Sequence, residues 1–179
     1  DFLENQKSDL ENSSTELKDI IHQMDDIMVE KFQKSFNEIS TSFTDIFKLM
    51  FKGGRGELKL SDPGDLLNTG IDIIAIPPGK KINSPVSLSG GEKALTAICL
   101  LFAMLRVKPS PFVILDEAEA ALDEVNVDMF GKYLSHEKAN SQFIVITHKK
   151  RMMEYADSLY GITMQESGVS KIVSAKLED

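Results

Sequence analysis

With 179 residues, 42% hydrophobic and 27% charged, the chain has the make-up of a globular protein long enough for one substantial core. No stretch of about 18 apolar residues and no basic-then-apolar leader occurs, which argues against a membrane span or a signal peptide and for a cytoplasmic location. A formal charge of -8 excludes a module dedicated to coating nucleic acid, because such modules need a net basic face.

From Asp1 to Lys52 there is neither glycine nor proline, and punctuation begins abruptly at Gly53, Gly54 and Gly56. The pattern predicts one long helix. Leu3, Leu10, Leu17 and Met24 recur every seven residues, with Ile21 and Met28 adding the second seam position of a coiled coil. Lys7 and Ser14 weaken that seam toward the start. Beyond Met28 the apolar positions become Phe32, Phe36, Ile39, Phe43, Phe47 and Met50, a spacing suited to packing on a globular body. The alternative is an amphipathic helix folded back along its own domain. About fifty helical residues would span ~75 Å, roughly twice the diameter of a domain built from the remainder. The expectation is therefore an arm over residues 1–52, paired with a strand absent from this sequence, and a body over residues 53–179.

In the body, Glu57–Leu60 and Ile71–Ile76 are β-rich runs separated by Ser61-Asp62-Pro63-Gly64, which predicts a small antiparallel sheet. Pro77-Pro78-Gly79-Lys80-Lys81 breaks regular structure, and a loop is expected to run on to Ser89. Gly91–Arg106 reads as a helix whose middle is apolar on every face, so burial on most sides is expected. Cys99, the single cysteine, lies in that stretch and reads as a small buried hydrophobe. Pro111–Leu115, a helical stretch over Glu124–Lys138, and Gln142–Ile146 form a β-α-β pattern. Parallel strands buried on both faces follow, with functional residues collecting at their C-terminal ends. Ser158–Met164 and Ser170–Leu177 close the chain as a strand pair around Gly168.

Leu88-Ser89-Gly90-Gly91-Glu92 places a hydroxyl and two glycines where a helix begins, so bare N–H groups and the positive helix end can meet an anion. Taken alone, Ser-Gly-Gly before a helix is more often just a cap with a flexible loop, and the full five-residue string is far more specific. In Phe112-Val113-Ile114-Leu115-Asp116-Glu117 a buried strand delivers two adjacent carboxylates to the sheet edge. Asp116 is the candidate for holding Mg²⁺ and Glu117 for polarising an attacking water; an isolated acidic pair at a strand end is more often merely solvated, a reading that Ala121-Leu122-Asp123 shortly downstream disfavours. His148 ends the next strand, where an imidazole could reach a phosphate. His22 and His136 read as bystanders. The basic clusters Lys149-Lys150-Arg151, Lys80-Lys81 and Lys48, Lys52, Arg55 read as solvated surface before they read as a DNA contact.

Leu88–Lys93, Phe112–Glu117, Ala121–Asp123 and His148 occur in the order and spacing of the signature, Walker B, D-loop and switch histidine of ABC-class ATPases. A long helix entering directly ahead of them resembles the SMC (structural maintenance of chromosomes) family and its repair relatives. Leu115–Asp123 and Met164–Lys171 look specifically like bacterial SMC. The resemblance implies an α/β fold, the C-terminal lobe of an ABC-type ATPase head with a projecting coiled-coil helix. It implies ATP and Mg²⁺ as cofactors, with Asp116 on the metal, Glu117 and His148 catalytic, and Ser89, Gly90, Gly91, Glu92 and Asp123 on nucleotide, Ser89 acting on ATP held by a second head. No Gly-x-x-x-x-Gly-Lys-Ser/Thr loop occurs in the sequence. In this family that loop belongs to the N-terminal half of the same polypeptide, so the implied partners are that half, a second head in a homodimer, a kleisin subunit and, in the full complex, DNA. The implied setting is the nucleoid, without membrane association, and the fragment alone should be inactive. The alternative is the matching fragment of an arm-bearing ABC ATPase of DNA-break repair.

Overall fold

The computed structural model describes residues 2–79, 88–166 and 168–176. Helix α1 runs unbroken over Phe2–Met50. Its outer turns expose the whole apolar seam, from Leu3 at 78% through Leu17 at 61% to Met28 at 48%. Burial then deepens along the helix. Phe32, Phe36 and Ile39 are half-buried, and Phe43, Ile46, Phe47 and Met50 are sealed in the core. The change from a seven-residue repeat to a phenylalanine-rich face marks where the helix stops projecting and starts packing. Phe47 stacks on Phe51 at 4.2 Å between ring centroids and meets Phe43 at 5.9 Å.

Strands β1 (Arg55–Leu60) and β2 (Ile71–Ile76) pair antiparallel, with Arg55 opposite Ile76 and Leu60 opposite Ile71, as their β-rich composition and the intervening turn residues predict. Helix α2 (Gly90–Val107) packs mainly on α1 and presents Leu95, Ile98, Cys99, Phe102 and Ala103 to the core. Burial on most sides was the expectation, and the apolar middle of α2 meets it: only Ala97 and Met104, seven residues apart on one stripe, are exposed. Being apolar all round, the helix has more apolar surface than the described elements can cover. Buried among these side chains, the Cys99 thiol is pushed up to about 12, so it is a packing residue and not a nucleophile.

Strands β3 (Phe112–Asp116) and β4 (Gln142–Ile146) form the expected parallel pair, joined through α3 (Glu124–Glu137). Phe102 gathers the layers together, its ring 5.8 Å from Phe130, 4.6 Å from Tyr133 and 6.3 Å from Phe143. Val113, Leu115, Phe143 and Val145 face this core. The opposite face corrects an expectation, because Phe112, Ile114, Ile144 and Ile146 are all exposed and the sheet is buried on one side only.

A single helical turn, α4 (Lys150–Met153), was not foreseen. Two of the three basic residues read as solvated surface are committed within the molecule: Arg151 bonds Asp128 and Glu154, and Lys149 turns inward. In the third cluster, Arg55 is bonded to its neighbour Glu57. Strands β5 (Ser158–Glu166) and β6 (Val169–Lys176) close the chain as an antiparallel hairpin. Lys80 and Lys81, with the loop expected through residue 87, lie outside the described residues, as do Leu177, Glu178 and Asp179.

Candidate functional site

The parallel pair ends with Asp116 opposite Ile146, and the chain beyond each strand carries the polar groups. Glu117 donates its N–H to the Ile146 carbonyl at 2.9 Å, which prolongs the ladder by one bond. Its φ of 47° then turns the backbone out of the strand. This brings Glu117 Oε1 to 3.3 Å from His148 Nδ1, with the two side chains 55% and 71% exposed. Asp116 is exposed beside them. Two carboxylates and an imidazole, all open to solvent at the C-terminal ends of parallel strands, make a suitable place for a ligand that brings its own charge.

Ser89 caps α2 in a reciprocal capping box. The Glu92 N–H donates to Ser89 Oγ at 3.2 Å, and the Ser89 N–H donates to Glu92 Oε2 at 2.6 Å. An accepting hydroxyl keeps its own proton to donate, so cap and anion donor are compatible roles for Ser89. Glu92 acts through its carboxylate on the backbone, as a brace of the turn. Asp123 caps α3, accepting from the Asn126 N–H at 2.8 Å. Ser89, Gly91, Glu92 and Asp123 line one cleft of about 500 Å³, walled on the other side by Met50, Lys52 and Pro78. Gly90 is exposed at the first position of α2.

The sequence-predicted residues thus fall into two groups: Asp116, Glu117 and His148 at the strand ends, and the Ser89 turn with Asp123 around the cleft. Residues 118–122 connect them, and three residues holding that connection escaped the sequence reading. Glu119, 1% exposed, accepts a short hydrogen bond from the Thr147 hydroxyl, and Lys149 Nζ donates to three carbonyls of the same loop. A buried glutamate two positions from an acidic strand end carries no periodicity that would single it out. Carboxylate oxygens on one or two residues fit Mg²⁺, which keeps much of its water, and among the described residues no cluster of three or more metal-ligating side chains suggests a tighter cage.

The model of the RecF/RecN/SMC N terminal domain matches residues 3–171. The chain belongs to this family. It is 54% identical over 178 residues to the chromosome partition protein Smc of Bacillus subtilis and 53% identical to that of Desulfitobacterium hafniense. It spans about 15% of the length of each of these relatives. Its fold is that of the Smc head. The Pyrococcus furiosus Smc head with an extended coiled coil, solved bound to the C-terminal domain of ScpA, superposes with a TM-score of 0.79 at 37% identity, covering 97% of this chain and 44% of that one. A chain from a study of ATP-driven dimerization of SMC ATPases gives a TM-score of 0.75 at 39% identity, covering 83% of this chain and 89% of that one.

Proposed function

We propose that this chain is the C-terminal half of the ATP-hydrolysing head of a chromosome-partitioning SMC protein, residues 1–52 being the root of its coiled-coil arm and residues 53–179 the body. The observation that carries the reading is the Glu117–His148 pair, 3.3 Å apart at the ends of neighbouring parallel strands. Glu117 would orient the attacking water and accept its proton, and His148 beside it would donate toward the γ-phosphate. Asp116 would hold Mg²⁺ through its water shell, the ion neutralising charge on the phosphates when bound. Ser89, Gly90 and Gly91 would offer a hydroxyl and bare N–H groups to the nucleotide of a second head, with Glu92 bracing the turn and Asp123 beside it.

Two apolar surfaces support the half-head reading. The seam of α1 and the Phe112, Ile114, Ile144 and Ile146 face are exposed, and the N-terminal half of the polypeptide, carrying the phosphate loop and the opposing coil, would cover both. The Pyrococcus furiosus head, of which this chain covers 44%, has room for such a half. The exposed Tyr160, Ile162 and Ile172 of the β5–β6 hairpin suit a kleisin subunit, as the ScpA-bound relative suggests, and DNA would bind the assembled nucleoid complex. The relatives' name, chromosome partition protein, favours this function over break repair.

The test is turnover after the N-terminal half is supplied. This chain alone should show no ATPase, the combined head should hydrolyse ATP, and Glu117→Gln should bind ATP and dimerise while kcat falls by about 10²-fold or more. Normal turnover by Glu117→Gln would remove Glu117 from the role and the reading with it.

A further inference from the structure

We infer that Lys149 is a positioning residue of this site, a latch that holds the Glu119–Leu122 loop so that the Glu117–His148 pair and the Ser89 turn move as one frame. The inference rests on the roles proposed above for Glu117, His148 and Ser89.

The residue after His148 is a lysine whose ammonium is turned into the protein. Nζ donates to the carbonyls of Glu119 at 2.7 Å, Leu122 at 2.7 Å and Ala120 at 3.3 Å. An ammonium has three protons, and here each has an acceptor in a single loop. Charge-assisted bonds of this kind are roughly twice as strong as neutral ones, and those to Glu119 and Leu122 are partly shielded from water.

A second grip sits beside the first. Thr147 donates its hydroxyl to the Glu119 carboxylate and accepts the Lys149 N–H at 3.0 Å, so residues 147 and 149 flank His148 and both hold Glu119. The loop's far side meets the signature turn. A Cβ on Gly91 would lie 3.0 Å from the Ala121 carbonyl oxygen, so the second residue of α2 sits directly against the latched loop. Asp123 follows immediately as the cap of α3. A displacement of His148 on meeting the nucleotide of its own head would therefore reach Gly91 and Asp123, which line one cleft with Ser89, the residue proposed to act on the nucleotide of the other head. Without the latch, three carbonyls would turn to water and the loop would absorb that displacement.

The experiment uses the whole SMC protein, comparing Lys149→Met and Lys149→Arg with the parent for kcat, KM for ATP, ATP binding and amide exchange across residues 119–123. The latch predicts that Lys149→Met lowers kcat by about tenfold or more with KM within about twofold, that exchange in the loop accelerates, and that Lys149→Arg recovers much of the rate. Parental kcat in Lys149→Met, or a rate loss matched by loss of ATP binding, overturns it. Should Lys149→Met not fold, Thr147→Val removes only the second grip: reduced kcat with ATP binding kept supports the latch, and parental kcat with parental exchange overturns it. Glu117→Gln measured in parallel separates the two claims. If it stalls turnover while Lys149→Met does not, the latch alone fails; if it turns over normally, the underlying reading fails and the latch falls with it.

Discussion

Glu117 is one of two non-glycine residues, with Lys52, that adopt positive φ among the described residues. At φ 47° its Cβ crowds the backbone, a conformation that costs an L-residue roughly 1–2 kcal/mol. Two bonds hold it there: its N–H on Ile146, and its carbonyl, which accepts from the Ala120 N–H at 2.9 Å. Strain of this size at a proposed catalytic carboxylate can be measured by comparing Glu117→Ala with Glu117→Gly. Both lack the carboxylate, so the exposed pairing with His148 is lost equally and cancels. Alanine keeps the Cβ and glycine does not. At an ordinary strand position alanine would be the more stable by about 0.5–1 kcal/mol, because glycine has more freedom to lose on folding. At this φ the order should reverse, glycine being more stable by about 1 kcal/mol. The two expectations differ in sign, so urea denaturation of the complete head decides between them. In a thermal scan of the complete head, about twice the size of this chain, the difference is worth about 1–2 °C. Alanine equal to or above glycine would refute the claim that the fold strains the backbone to aim Glu117, whereas the predicted order would make the site a place where stability is given up for geometry.

Ser89→Arg should leave ATP binding by a single head intact and abolish ATP-dependent head dimerisation, read by nucleotide binding and size-exclusion in the presence of ATP; loss of binding in the monomer would contradict action on the second head's nucleotide. Because Ser89 also caps α2, a stability loss of about 1 kcal/mol should accompany it, too little to unfold the head. In α3, a Cβ on Gly131 would lie 2.1 Å from Cδ2 of Tyr155, whose hydroxyl bonds Asp128. Gly131→Ala should therefore destabilise by about 1–3 kcal/mol of overpacking, less about 1 kcal/mol of helix propensity, while on a Tyr155→Ala background it should stabilise; denaturation of the four variants checks the reversal of sign.

The elements were legible where their signal is local. The glycine-free opening gave α1, turn residues gave the β1–β2 hairpin, and apolar runs flanking a helical stretch gave β3, α3 and β4. Their environments were not. Phe112, Ile114, Ile144 and Ile146 read as a sheet face to be buried and are exposed here, because an apolar residue shows that a surface wants cover without showing which chain supplies it. The same holds for Met104 on α2. At the site, Glu117 and His148 were found because strand ends are predictable places. Lys149 was missed because a lysine within Lys-Lys-Arg reads as surface charge, and only three-dimensional closure reveals three carbonyls within reach of its ammonium.

The chemistry of the exposed residues also sorts the proposed partners. Leu3 to Met28 on α1 and the open face of the β3–β4 pair are large and apolar, and leaving them in water is costly at every moment, so they suit partners that never leave, such as the rest of the same polypeptide. Asp116, Glu117, His148 and Ser89 are also exposed but polar, and water satisfies them when no ligand does. A surface of that kind can be covered and uncovered in each cycle without threatening the fold. On the proposed reading the division follows the residues: permanent assembly would form at the arm and the sheet and reversible assembly at the Ser89 turn, with the loop held by Lys149 lying between the strand ends and that turn.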